Sequence, residues 1–291
     1  METTDNIARR DMLRLGMVAG CMGVAGCSGD DGYGVFRMSL TSYSFREFTA
    51  AEAVAKVAAL GISCIDLWPS HVSSLGGGKR DRSAKPYHEN PQAWAQFQKS
   101  LQQHSVECVS YGVQNFMNDH DANRRIFDWA QQEGFQTFMA NPSLDAFDSL
   151  ERLVEEYDLT VGVHNHGPED PLFGKLSQML EALKDRHPKI GVCADLGHFF
   201  RSGDDPIEAL EQLQGRLYGI HIKDVVRDVE FSKARVVIGK GEMNIPVILK
   251  KLRSIGYDGY LTYEHENHWD NPSPHIAESL VQLKQMCSKL E

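Results

Sequence analysis

Short apolar runs alternate with amphipathic stretches along most of this 291-residue chain, and the alternation predicts strands that are each followed by a helix. Helix starts are marked by the Thr49-Ala50-Ala51-Glu52 capping box and by Asn90-Pro91, and further helices are predicted near 120–133, 145–157 and 274–288. Eight strands are predicted, at 36–40, 62–68, 106–112, 135–141, 159–164, 190–195, 217–222 and 259–264. Eight βα units predict an α/β fold, a single-domain (β/α)₈ TIM barrel over residues 36–291.

The first residues do not follow this alternation. Arg9-Arg10 precedes a weakly apolar, glycine-rich run that ends in Val24-Ala25-Gly26-Cys27. This pattern is typical of a twin-arginine export signal that ends in a lipoprotein box. We therefore predict a signal peptide at 1–26, a linker at 27–35, lipidation of Cys27, and a periplasmic location with the lipid as the only membrane anchor. An uncleaved N-terminal segment is the alternative.

The net charge indicates which partners the protein can bind, and the cysteine positions bear on disulfides. The formal net charge is −10 and no basic tract follows the signal, which disfavours nucleic acid because phosphate neutralisation provides most of that affinity. Cys64, Cys108 and Cys193 fall inside apolar strands, where a thiol usually acts as a small buried hydrophobe. The chain has no CxxC pair, and spacing alone predicts no disulfide.

Four strands in the second half of the chain each end in a potential metal ligand. The stretches are VGVHNH (161–166), GVCADLGH (191–198), YGIHIKD (218–224) and LTYEHE (261–266). Strand residues two apart share a face, and the carboxyl ends of barrel strands meet at one rim, so we expect four side chains to converge: His164, Asp195, His221 and Glu264. Two imidazoles and two carboxylates suit Mn, Zn, Co or Fe better than Mg. Any one of them alone is more simply interpreted as a hydrogen-bonded structural residue.

At these residues the chain resembles the xylose isomerase-like TIM barrel superfamily, which contains sugar phosphate isomerases and epimerases, inosose dehydratase and 3-keto-glycoside lyase or hydratase-type enzymes. The resemblance covers about 36–288 and rests on four motifs: D-x-G-H at Asp195–His198, H-x-K-D at His221–Asp224, G-x-G at Gly239–Gly241 and Tyr263-Glu264. It implies that Asp195, His221 and Glu264 bind the metal and that His198 contacts substrate or metal. Many members read E-N-H-G where this chain reads H-N-H-G at His164–Gly167, so the glutamate that serves them as ligand and base is replaced here.

Together these features predict a divalent-metal-dependent carbohydrate enzyme that abstracts the α-proton of a keto-sugar, for isomerisation or epimerisation, or for elimination or hydration of a 3-keto sugar or glycoside. Glu264 is the predicted base, with His166 or Glu169 in place of the missing glutamate. Predicted substrate-binding residues are Lys223, Trp68, His71, Asn141 and Tyr43, with Arg201 as a further candidate. The alternatives are a lipid-anchored sugar-binding barrel without catalysis and an endonuclease IV-like nuclease. Assembly as a homodimer is compatible with these predictions.

Two long connections on the predicted catalytic face bear on the substrate. The loop at 69–89 contains Gly76-Gly77-Gly78 and a basic cluster at Lys79–Lys85, but it lacks the GK[ST] ending of a phosphate-binding loop. A lid or a solvated loop is therefore favoured over a phosphate cradle. The segment at 224–244 is expected to cover the barrel mouth. An unphosphorylated keto-sugar or oxidised glycoside is the predicted substrate.

Overall fold

The computed structural model describes residues 32–227, 229 and 234–290. Eight parallel strands close into a barrel with the neighbour order β1-β8-β7-β6-β5-β4-β3-β2, which confirms the predicted (β/α)₈ fold. The predicted signal peptide and Cys27 lie outside the described residues. The barrel strands are β1 Arg37–Thr41, β2 Cys64–Leu67, β3 Glu107–Phe116, β4 Thr137–Pro142, β5 Thr160–His164, β6 Ile190–Asp195, β7 Leu217–Ile222 and β8 Tyr260–Tyr263.

Helices follow the strands and pack around the barrel. They are α1 Ala50–Ala59, α2 Pro91–His104, α3 His120–Glu133, α4 Phe147–Tyr157, α5 Leu176–Leu183, α6 Leu196–Arg201, α7 Pro206–Leu213, α8 Ile245–Ser254 and α9 Ser273–Cys287. The predicted capping box is present at Thr49, which accepts a hydrogen bond from the Glu52 amide while Glu52 accepts one from the Thr49 amide. Asn90 caps α2 by accepting from the Ala93 amide at 3.1 Å. No helix in the described part of the chain is long and apolar enough to cross a membrane.

One strand differs from its predicted extent. The apolar run predicts that β3 ends at residue 112, whereas the strand continues to Phe116. Its pairing with β4 shifts register between Tyr111 and Gln114 and then resumes as far as Phe116 and Pro142. Polar residues such as Gln114 therefore lie in a strand because β4 continues alongside them, which is a tertiary effect that local periodicity does not contain.

The barrel interior beneath the strand ends is filled by Met139 of β4. Two glycines lie against Met139, Gly112 on the neighbouring strand β3 and Gly219 on β7. A Cβ on Gly112 would lie 2.3 Å from the Met139 Cβ, and a Cβ on Gly219 would lie 2.7 Å from the Met139 Cε. These glycines are thus required by close packing, and the layer that they permit forms the floor on which the polar strand ends rest.

The two long connections form small hairpins on the carboxyl side of the strands. In the first, Ser74–Gly76 pairs with Lys79–Arg80, and the Arg80 guanidinium lies over the Trp68 ring at 4.7 Å from its centroid. In the second, Asp224–Val225 pairs with Arg235–Val236.

The G-x-G segment holds a carboxylate of the protein itself. The amides of Gly239 and Gly241 donate to Asp224 Oδ2 at 2.8 and 2.9 Å, and the Met243 amide donates to Asp224 Oδ1 at 3.2 Å. This glycine segment therefore fixes the base of the β7–α8 connection, and its amides are already occupied.

Candidate metal centre and cavity

The four predicted metal ligands lie together at the carboxyl ends of four neighbouring strands. His164 and Asp195 are the last residues of β5 and β6, His221 is the penultimate residue of β7, and Glu264 directly follows β8. All four residues are buried, with at most 7% of their surface exposed. One nitrogen or oxygen atom from each lies within 4.8 Å of the corresponding atoms of the others. The strand-end pattern and the barrel closure thus produce one compact donor cluster.

The spacing of these atoms suits a metal ion. His164 Nε2 lies 3.2 Å from His221 Nδ1, and His221 Nδ1 lies 3.3 Å from Glu264 Oε2. Asp195 Oδ2 lies 3.7 Å from His164 Nε2. In a tetrahedral site with bonds of about 2.0–2.2 Å, neighbouring ligand atoms are roughly 3.3–3.6 Å apart. The donor types and their separations therefore fit a divalent transition metal.

The charge balance around the cluster favours a cation as well. The Lys223 ammonium contacts Glu264 Oε2 at 2.6 Å, Glu266 Oε2 at 2.7 Å and Asp195 Oδ2 at 2.8 Å. Arg235 Nε donates to the same Glu266 oxygen at 2.9 Å. Among the described residues, this network contains two fixed cations and four carboxylates, because Asp66 joins Asp195, Glu264 and Glu266 through its contact with His221. A divalent ion would balance the two remaining negative charges.

Asp195 has unused capacity to accept. Its Oδ1 accepts from the His198 amide at 2.8 Å, which caps α6. Its Oδ2 has the short ion-pair contact with Lys223 but no partner in hydrogen-bond geometry within the part of the chain that the structure describes. A buried carboxylate oxygen in this state is suited to coordinate a metal.

The surroundings shift the pKa values of the four ligands in different directions. Burial raises the pKa of Asp195 to about 6, against the opposing charge of Lys223. Burial also acts to raise the pKa of Glu264, but Lys223 and His221 outweigh it and hold this pKa well below its usual range. Burial, with the neighbouring His221, lowers the pKa of His164 well below its ordinary value. His164 therefore offers a neutral imidazole at neutral pH.

His221 behaves oppositely in the metal-free protein. Burial acts to lower its pKa, but Cys193, Glu264 and Asp66 together raise it well above the ordinary value. A metal that binds Nδ1 must therefore displace a proton from this nitrogen, so that metal and proton compete for the same position.

The donor cluster opens into a cavity of about 290 Å³, which we call the inner cavity. It is lined by Thr41, Tyr43, Trp68, Gly112, Val113, His164, His166, His198, His221, Glu264 and Glu266. A second cavity of about 480 Å³, the outer cavity, shares Tyr43, His166, His198 and Glu266 with it and adds Gly167, Glu169, Asp170, Arg201 and Arg235. The two together have the size of a small-molecule site.

The structure separates the other predicted site residues into three groups. Tyr43, Trp68, His166 and His198 line the inner cavity, and Glu169 lines the outer one. Lys223 lies beneath the inner cavity, with its ammonium surrounded by carboxylates.

His71 and Asn141 line neither cavity. The His71 ring is buried and lies 3.0 Å from the Phe48 carbonyl oxygen, while Asn141 donates to Asn115. The structure thus places these two predicted substrate-binding residues in local hydrogen bonds outside the site.

Two acid–base groups accompany the ligands. His166 Nδ1 lies 3.2 Å from Asp170 Oδ2, and the residue lines both cavities. Arg201 bridges the site's edge, since Nη1 donates to His198 Nδ1 at 3.1 Å and Nη2 donates to Glu169 Oε1 at 2.6 Å. Glu169 is therefore engaged in an ion pair, and His166 is the freer of the two candidates to replace the missing glutamate.

Besides Asp170, which contacts His166, sequence reasoning missed two carboxylates at the site. Asp66, in the CIDL strand, contacts His221, and Glu266 lines both cavities while it contacts Lys223 and Arg235. A signal existed for both: Asp66 is a charged residue inside an apolar strand, and Glu266 shares a strand face with Glu264. The sequence could not indicate that Gly112 and Val113 line the cavity, because neither has a polar side chain.

The closed barrel with a cluster of imidazoles and carboxylates at its carboxyl rim defines a (β/α)₈ protein with a candidate metal site, and comparison with known proteins identifies the family. The family model for "Xylose isomerase-like TIM barrel" matches residues 140–286, and the chain belongs to this family. The uncharacterized protein MJ1311 of Methanocaldococcus jannaschii is 31% identical over 126 residues, which are 42% of this chain and 43% of that protein. Inosose dehydratase of Clostridium perfringens is 24% identical over 202 residues, 63% of this chain and 66% of that protein.

Both alignments span less than two thirds of the relative's length. Among solved structures, a putative uncharacterized protein from Parabacteroides distasonis aligns with a TM-score of 0.63 at 24% identity, over 87% of this chain and 99% of that one. This likeness shows the shared barrel fold over nearly all of the described residues.

Proposed function

We propose that this protein is a divalent-metal-dependent enzyme that removes the proton next to the carbonyl of an unphosphorylated keto-sugar or oxidised glycoside. The main support for the proposal is the four-donor cluster, which opens into a cavity that is also lined by the acid–base groups His166 and His198. Mn, Zn, Co or Fe suits this mixture of imidazole and carboxylate donors.

The residues divide the chemistry between them. A bound divalent ion would supply Lewis-acid polarisation of the substrate carbonyl. Glu264 takes the proton from carbon, and the contact with Lys223 keeps it ionised for that role. His166, which is oriented by Asp170 and lines the same cavity, gives or takes the second proton. Tyr43 and Trp68 provide an aromatic wall for the apolar faces of a sugar ring.

Elimination or hydration is the reaction that the donor set favours over epimerisation. Epimerisation uses two facing carboxylates, and His164 occupies the position of one of them. A histidine and a glutamate suit loss of an α-proton together with departure or return of a β-oxygen. The name of the relative inosose dehydratase is consistent with this choice, because it describes dehydration of a cyclic keto-polyol.

The inner cavity also favours a substrate without phosphate. None of the described residues that line it is Lys or Arg. The amides of the G-x-G segment already hold Asp224, and Arg80 of the basic loop stacks on Trp68. The predicted twin-arginine export, which we also propose, would place the enzyme where sugar phosphates are scarce.

Proton exchange in D₂O tests the proposal. The purified protein would be incubated with a panel of keto-sugars and 3-keto-glycosides, with added Mn²⁺ or with chelator, and followed by NMR. We expect metal-dependent exchange of the α-proton that falls about 10²- to 10⁴-fold in Glu264→Gln. Glu266→Gln is the matched control, since it removes a neighbouring carboxylate outside the donor cluster. Sugar binding without any exchange would favour the non-catalytic sugar-binding alternative.

A further inference from the structure

A carboxylate below the donor cluster contacts one ligand from the side away from the cavity. Asp66 of β2 is fully buried, and its Oδ2 lies 3.2 Å from His221 Nε2. Its other oxygen accepts a hydrogen bond from Ser110 Oγ of β3 at 2.5 Å. In the barrel order, β1 and β8 stand between β2 and β7, so this contact crosses the barrel interior. Asp66 is not among the residues that line either cavity.

We infer that Asp66 is a positioning residue that fixes the ring and the proton of His221, so that Nδ1 is the nitrogen that binds the metal. The inference rests on the metal site of the proposed function. A carboxylate can only accept at this distance, so the ring nitrogen that faces it carries the hydrogen. In a neutral imidazole this leaves the lone pair on Nδ1, which faces His164 Nε2 and Glu264 Oε2.

Ser110 fixes the orientation of the Asp66 carboxylate. By donating to Asp66 Oδ1, it limits rotation of the carboxylate and leaves Oδ2 directed at His221. Carboxylate–histidine–metal arrangements of this kind orient the ring and increase the basicity of the metal-bound nitrogen, and disrupting them typically weakens metal binding about 10- to 100-fold.

The two histidine ligands are therefore not equivalent. Among the described residues, His164 Nδ1 is buried without a hydrogen-bond partner, whereas His221 Nε2 has Asp66. His221 is therefore anchored on the nitrogen away from the other donors, whereas the corresponding nitrogen of His164 has no such anchor among the described residues.

Metal titration of single variants tests the inference. Zn²⁺ and Co²⁺ alone serve as probes, and the dissociation constant is measured by competition with a chelator. We expect Asp66→Ala to weaken binding about 10- to 100-fold and Ser110→Ala to weaken it by less. Asp66→Asn should restore part of the loss, because the amide oxygen can still accept from His221 Nε2.

The outcomes separate this inference from the proposed function. Failure of the wild-type protein to bind either ion would overturn the metal site itself. Wild-type binding with unchanged constants in all three variants would overturn only the role of Asp66. Metal-free circular dichroism and thermal unfolding identify a variant that does not fold, and in that case Asp66→Asn and Ser110→Ala decide the question.

The position of the proton on the His221 ring distinguishes the inferred role of Asp66 from a purely structural one, which would not determine it. Long-range ¹H–¹⁵N spectra of the zinc-loaded protein with ¹⁵N-histidine should show His221 with its proton on Nε2 and its Nδ1 bound to metal. His166→Gln and His198→Gln would identify the signals of the two other histidines that line the inner cavity while they leave the four donors intact. A proton on Nδ1 and metal on Nε2 would contradict the inference.

Discussion

The two halves of the barrel mouth contribute different things to the site. Strands β5 to β8 supply all four donors of the candidate metal centre, each from the end of its strand or the next residue. Strands β1 to β4 and the residues that follow them supply mainly uncharged wall, namely Tyr43, Trp68, Gly112 and Val113. One half therefore concentrates the metal donors, whereas the other half supplies the uncharged wall of the cavity and, through Asp66, a buried support for one donor.

The wall half is held in place by contacts among its own residues. The Tyr43 and Trp68 rings meet edge to face, with centroids 5.0 Å apart. The Trp68 amide donates to Ser42 Oγ at 2.8 Å, and Arg46 donates to the Tyr43 hydroxyl at 2.5 Å. Because these contacts do not involve the donors, substitutions in the aromatic wall and substitutions of the donors should affect different quantities, namely substrate binding and metal binding.

The largest effect is expected from exchanging a ligand in the charged half. His164→Glu restores the glutamate that many family members carry and should retain the metal, because a carboxylate remains at the donor position. With two carboxylates at the site, epimerisation relative to elimination should rise about 10²-fold or more. NMR analysis of products measures the ratio. An unchanged ratio with metal retained would mean that this position does not decide the chemistry.

A smaller effect is expected in the wall half. Trp68→Ala removes an aromatic face from the inner cavity and should raise KM about 2- to 10-fold, in keeping with about 0.5–1.5 kcal/mol for an aromatic contact. Metal affinity should stay at the wild-type value, which a parallel Zn²⁺ titration checks. A loss of metal binding in this variant would break the division between the halves.

The smallest effect on activity is expected at His71, which lies behind the wall and contributes to stability instead. Burial lowers the pKa of His71 to about 4. The unfolded chain takes up this proton near pH 6.5, so the stability from a neutral buried His71 is present above about pH 6.5 and is lost as the pH falls toward 4. The loss is up to about 1.4 kcal/mol per pH unit in that window.

His71→Gln isolates this contribution. Thermal unfolding at pH 7 and pH 5 should show a smaller drop for His71→Gln than for the wild-type protein, with KM unchanged. A changed KM with the same pH response as wild type would instead return His71 to the substrate-binding role that the sequence predicted.

Much of this site could be predicted from the sequence because each donor follows an apolar strand. His164 and Asp195 interrupt such runs at the strand end, and the two-residue parity of strands indicates which side chains share the rim. Asp66 could not be assigned in this way, because its partner His221 is 155 residues distant and only barrel closure brings them together.

Other differences arise from tertiary context. His71 and Asn141 have the right chemistry and lie near strand ends, but a short 3₁₀ helix at Pro69–Ser73 directs His71 to Phe48, and the pairing of β3 with β4 places Asn141 opposite Asn115. The extension of β3 to Phe116 depends on the neighbouring strand β4. The signal peptide and the lipidation of Cys27 stay predictions of the sequence.

Metal content tests the central claim most directly. Elemental analysis of the purified protein, loaded with Mn²⁺, Zn²⁺ or Co²⁺ and then desalted, should find one divalent ion per chain. Asp195→Ala and Glu264→Ala should each release it, because each removes a charged ligand, whereas Glu266→Gln should retain it. A wild-type protein that holds no metal after loading, or full occupancy in both ligand variants, would contradict the account.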